Sequence, residues 1–172
     1  MLVKGDLVYV VGYRYGLTLV DDAESDSAAS EGSMYGSHGA TEVSSFRLAG
    51  GKLERLQTLY LESNDYFSGS NYASRMIDGK LAFYMPHVAT IEGNTESPRL
   101  HVPRRFERTP EGAFRRGAPL FAPTDVYVPV DVPSSPAFHT IVKCELPADG
   151  SFACTARALL SNWSHEHFVS TD

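Results

Sequence analysis

The amino-acid sequence predicts an all-β chain of antiparallel four-stranded units, about two blades of a β-propeller. Three observations predict it. First, the stretch 63–86, SNDYFSGSNYASRMIDGKLAFYMP, carries an Asp78-Gly79 pair between two apolar runs, the strongest short-range hairpin signal. Second, the surroundings of that hairpin recur. Leu2-Val3-Lys4-Gly5-Asp6-Leu7 aligns with Met76-Ile77-Asp78-Gly79-Lys80-Leu81, and VSSFRLAGGK at 43–52 aligns with IVKCELPADGS at 141–151, with one residue more at the turn. Third, nine Tyr and nine Phe favour strands, while Pro86, Pro98, Pro103, Pro110, Pro119 and Pro123 exclude a long helix from 87–124. Repeated four-stranded units that bury their faces on one another are the signature of a propeller. The blades fall at about 1–62 and 71–160, with the opening of a third at 165–172, so the chain reads as a propeller segment.

Each element follows from its local pattern. Residues 1–3 and 7–14 flank Lys4-Gly5-Asp6 as a hairpin, and LVYVVGY is apolar enough for a buried central strand. The stretch 15–40 turns polar, with Asp21, Asp22, Glu24 and Asp26 among many Ser, Gly and Ala, and is expected to be a disordered loop. Strands at 41–48 and 52–61 are joined by Ala49-Gly50-Gly51. The second also fits helical spacing, but the Gly-Gly turn favours a hairpin. Residues 72–77 and 81–85 are the strands around Asp78-Gly79, the second alternating with period two. The Pro-rich insertion 87–124 leaves room for one short helix at 111–116. VYVPVDV at 126–132 alternates as a strand, which Pro129 restricts to an edge. A last hairpin joins 137–146 to 151–160 across Ala148-Asp149-Gly150. Leu7, Val8, Val10, Phe83 and Ile141 are the expected contacts between blades.

A chain of 172 residues, 42% hydrophobic and 21% charged, can bury one core as a globular domain. A net charge of −6 argues against general nucleic-acid binding, which needs a basic surface. No apolar run reaches the length of a membrane-spanning helix, and the N-terminus has a strand pattern in place of an export signal. Two cysteines, Cys144 and Cys154, stand opposite each other across the last hairpin if its turn has three residues. Opposed antiparallel residues have Cα atoms about 4.5–5.5 Å apart, which suits a disulfide. Such a bridge implies an oxidising compartment.

The 63–86 run, FRRGAPLFAPTDVYVP at 114–129 and the Cys144/Cys154 hairpin resemble secreted bacterial proteins with a C-terminal β-propeller distantly related to WD-repeat proteins. Asn71-Tyr72-Ala73-Ser74-Arg75 is the most specific part of that resemblance. It implies a secreted or cell-envelope location and a full propeller whose remaining blades are this chain's partners. It carries no catalytic motif onto these residues.

The densest polar-aromatic cluster is Asn64, Asp65, Tyr66, Asn71, Tyr72 and Arg75. In a propeller it would open on the central channel, with Asp65 and Arg75 as charged contacts to a protein or small-molecule ligand. The competing reading, that Asn and Asp serve the turn and Arg75 pairs within the blade, is the stronger of the two. His165 and His167, with His139, do not supply three ligands at zinc spacing, so no metal or other cofactor is expected. The acidic run 21–26 lacks the spacing, central Gly and terminal Glu of a calcium loop. The arginines at 99, 104, 105, 108, 115 and 116 read as surface salt pairing. Gly36-Ser37-His38-Gly39 is not a nucleophile elbow, and no phosphate-binding glycine loop is present. Asn162-Trp163-Ser164 is a glycosylation sequon, relevant only to a eukaryotic secretory chain. The function expected is an exported binding or scaffold module. The competing class is a hydrolase-type enzyme at the channel mouth, which would need convergent acid, base or metal groups.

Overall fold

The computed structural model describes residues 1–20, 38–64, 74–92, 96, 99–131 and 133–163. The described residues are all-β, with thirteen strands and no α-helix. The first sheet runs β1 (Leu2–Lys4), β2 (Leu7–Leu17), β3 (His38–Ala49), β4 (Lys52–Glu62), β9 (Arg104–Arg108) and β10 (Phe114–Pro119). The second runs β11 (Val126–Tyr127), β13 (Ala153–Asn162), β12 (Pro136–Glu145), β6 (Lys80–Val88) and β5 (Ser74–Ile77). A small pair, β7 (Ile91–Glu92) and β8 (Arg99–Leu100), stands apart. Both large sheets are open, and every pairing within them is antiparallel except β11 with β13.

Each sheet is built on a four-stranded antiparallel meander, β1-β2-β3-β4 in one and β5-β6-β12-β13 in the other. The tight turns explain the registers. At the β5–β6 turn Asp78 has φ 49° and Gly79 φ 72°, the two positive values that a type I′ hairpin demands. Gly50 and Gly51, at φ 56° and 75°, close β3 on β4 with Ala49 opposite Lys52. That turn commits 52–62 to a strand despite its helical spacing.

Four tight turns lie at one end of the molecule and the long connections at the other. At the turn end the Lys4 ammonium donates to Gly79 O (3.2 Å) and Leu146 O (3.0 Å). Ser45 Oγ donates to Gly150 O (2.6 Å), and Arg47 reaches Ala148 O (3.1 Å). The Phe152 N–H donates to Gln57 Oε1 (2.8 Å). The sheets face each other across one core: Leu7, Tyr9, Val43, Leu59 and Leu61 against Leu81, Phe83, Met85, Val142 and Cys144.

Several sequence expectations are corrected. Val10 and Ile141 are 38% and 48% exposed and make no core contact. The two-residue period explains this: Leu7 and Tyr9 point inward on β2, as Val142 and Cys144 do on β12, and their neighbours point away. β2 is central yet buried only at Leu7, Val8 and Tyr9, then again at Leu17. Residues 111–116 form no helix, because they close and begin the β9–β10 hairpin that extends the first sheet beyond β4. Of the described residues of the 126–132 run, 126–131, only Val126–Tyr127 pairs, as an edge strand. The loop expected from residue 15 gives up both its ends to strands, at Tyr15–Gly16–Leu17 of β2 and at the start of β3. The rest of that expectation, 21–37, lies outside the described residues, as do residues 164–172 and with them the expected third repeat.

Candidate functional site

Among the described residues, the most concentrated buried ionisable chemistry sits at the loop end, where β4 and β6 finish. Glu62 is the last residue of β4, His87 lies near the end of β6, and His101 follows β8 directly. Leu61 and Met85 just before the strand ends are fully buried, and Glu62 beyond Leu61 is buried as well. His101 is held by its backbone, whose N–H donates to Thr90 O at 2.8 Å.

The Glu62 side chain is only 6% exposed, so its carboxylate must find partners inside the protein. His101 Nε2 stands 3.1 Å from Oε1, and the Arg104 backbone N–H donates to Oε2 at 2.9 Å. His87 Nε2 lies 3.9 Å from the same Oε1. The two imidazoles stack, with ring centroids 5.2 Å apart. Burial pushes the Glu62 carboxyl up, but the hydrogen bond from His101, the charges of His101 and His87 and the Arg104 N–H outweigh it. The net effect holds the group below the usual glutamate range. One ligand atom from each of Glu62, His87 and His101 lies within 4.8 Å of the others, a donor set able to hold a metal ion.

The residues singled out from sequence fare differently. Asn64 is at the same end, where its N–H donates to Pro86 O (2.9 Å) and its Oδ1 accepts from the Val88 N–H (2.6 Å). Its side chain thereby clamps the exit of β4 to the end of β6. Arg75 is exposed on β5, opposite Ala82. Asp65, Tyr66, Asn71 and Tyr72 lie outside the described residues, as do His165 and His167.

His139 is tied up in the sheet. Its Nε2 is 2.9 Å from Asn162 O and its Nδ1 2.8 Å from Tyr84 Oη. A carbonyl only accepts, so Nε2 carries the proton and Nδ1 accepts from the tyrosine. Burial pushes Tyr84 up to about 12. Because the folded value exceeds the unfolded one near 10, its contribution is complete below pH 10 and is lost as pH rises toward 12, a loss on the order of 2 kcal/mol. Tyr9 is raised too, by burial and then by Asp149 and Asp6, so the informative comparison is with Tyr84→Phe. Denaturation at pH 9 and pH 11.5 is expected to show a smaller alkaline loss in that variant than in the parent.

A cleft of about 220 Å³ opens between the sheets, lined by Leu61, Arg105, Glu107, Leu120, Val142 and Cys154 among others. It falls short of the roughly 300–1,000 Å³ of small-molecule sites.

His87, His101 and Glu62 were not legible as a set in the sequence. They are far apart along the chain, with no short ligand spacing, and two of them lie within the Pro-rich stretch that reads as insertion. Only topology brings them together. Comparison with protein-family models, curated proteins and solved structures finds no match to this chain.

Proposed function

We propose that this chain is an exported β-propeller segment acting as a binding or scaffold module, with its binding end where the long connections emerge. The observation that carries the reading is that two four-stranded antiparallel meanders pack face to face through one core, with contacts between their turns at one end. Lys4 of the first strand meets the turn after β5, the first strand of the second meander; Ser45 and Arg47 of the third meet the turn after β12; Gln57 of the fourth meets the residue before β13. Lys4 also reaches Leu146 O in the turn after β12. Adjacent four-stranded antiparallel units packed face to face are what successive blades of a propeller present. Export is supported by the Cys144–Cys154 disulfide. No helix among the described residues is long and apolar enough to cross a membrane.

In this reading the outer face of the second sheet receives the next blade. It presents Ile141 and Leu159, 48% and 47% exposed, beside Lys143 and Arg157. The chain by itself is therefore expected to self-associate through that face. Light scattering of the parent chain and of Ile141→Lys/Leu159→Lys tests it. The double variant is expected to be monomeric with an unchanged melt, since neither residue is in the core. A monodisperse parent monomer with a sharp cooperative melt would count against the propeller segment.

A further inference from the structure

We propose that Glu62, His87 and His101 form a binding site for a divalent transition metal of the zinc class. The donor set is two imidazoles and one carboxylate, the borderline chemistry that zinc takes, and it leaves a fourth position for water. Tetrahedral ligands about 2.0–2.1 Å from a metal stand about 3.4 Å from one another. The observed separations from Glu62 Oε1, 3.1 Å to His101 Nε2 and 3.9 Å to His87 Nε2, bracket that value. Small side-chain adjustments therefore suffice to admit the ion.

His101 and the Arg104 N–H already serve the buried carboxylate. The second imidazole acts on the same oxygen through its charge, with His87 Nε2 3.9 Å away, and a common ion would take all three groups as ligands. The supports are those of a built site. The Arg104 N–H fixes the free carboxylate oxygen, and Arg104 is held in turn by Gly117 O at 3.2 Å. The backbone bond from His101 to Thr90 fixes the loop that bears it. Outer partners of this kind orient the ligands of metal sites. On binding, the Nε2 proton that His101 shares with Glu62 must shift to Nδ1 or leave to solvent, because only the free ring nitrogen can bind the ion.

The cluster ties together three separate stretches: the end of the first meander, the end of β6 and the segment after β8. An ion there would cross-link the two sheets at the end opposite the disulfide.

Cobalt is the probe, since its visible absorption reports ligand number. The full disulfide-bonded chain is titrated with Co²⁺, then with Zn²⁺ in competition. The expected result is one ion per chain with an intense four-coordinate band that Zn²⁺ abolishes. His87→Gln and His101→Gln are each expected to lower Co²⁺ affinity at least ~100-fold, more than loss of an outer partner does. His165→Ala/His167→Ala is expected to leave the affinity unchanged. Zn²⁺ is also expected to raise the melting temperature of the parent and not of His101→Gln. Absence of Co²⁺ binding by the parent chain overturns the proposal whatever the variants do. So does a band that survives loss of both His87 and His101, or one that disappears with His165 and His167.

Discussion

Phe138→Ala is expected to lower the unfolding free energy by about 3–5 kcal/mol. Phe138 is fully buried on β12, and its ring packs at 5.5 Å and a tilted angle against Phe121. Around this pair close Ala158 and the partly buried Val102, Leu120, Val126 and Leu160. Those residues come from the Pro-rich segment, from β11 and from β13, so the cluster is what fastens the long insertion onto the second sheet. Removing the ring leaves a cavity that rigid strands on either side cannot collapse to fill. Phe138 is also the register partner of His87 across β12 and β6. The variant is therefore expected to loosen the loop end first, seen as faster amide exchange at Val88 and His101 than at the β3–β4 turn. Equilibrium denaturation checks the magnitude. A cost under about 1 kcal/mol would mean that the insertion does not pack on this sheet as described.

The contrast between this cluster and the main core shows what the chain discloses by pattern. Turn chemistry was legible because it is local. Asp78-Gly79 and Gly50-Gly51 need positive φ, so they fixed the two hairpins and with them the registers of β3, β4, β5 and β6. The Cys144/Cys154 pairing was legible for the same reason. Which apolar residues reach the core was less so. LVYVVGY gives no alternation to read, so Val10 could be assigned inward until its neighbours on β3 were placed. The β9–β10 hairpin was missed because a Pro- and Arg-rich segment has no clean period. Its pairing to the edge of β4 is a long-range event, held by Tyr60 opposite Phe106 and by Phe114 against Tyr60. The Glu62–His87–His101 cluster depends on where β4 and β6 end relative to one another, a property of the assembled sheets. Asn64 was drawn out of the sequence as a polar ligand contact and, more strongly, as a residue that serves the local backbone; its side chain here accepts from the Val88 N–H.

Replacing both cysteines, Cys144→Ala/Cys154→Ala, is expected to cost about 2–3 kcal/mol while preserving the fold. The two residues are directly opposed on β12 and β13, with Cα atoms 4.0 Å apart and the sulfurs bonded. The bridge closes a short loop, so the entropy it removes from the unfolded chain is modest. The fold should survive because the same two strands are paired from Pro136–Asn162 to Glu145–Ala153 without it. Burial adds a second contribution. Cys144 is fully buried in the main core, packed with Leu81, Val142 and Leu146. Removing its sulfur therefore costs packing as well as the covalent link. The two contributions separate by experiment. Reduction of the parent chain breaks the bond and keeps both sulfurs in place; the alanine variant loses both. If the chain-entropy effect dominates, urea midpoints of the reduced parent and of the double variant nearly coincide, both well below that of the oxidised parent. If packing dominates, reduction alone moves the midpoint little and the variant moves it far. A reduced parent as stable as the oxidised one would remove the link between this hairpin and an oxidising compartment, because the bridge would then confer nothing that the strands do not already supply.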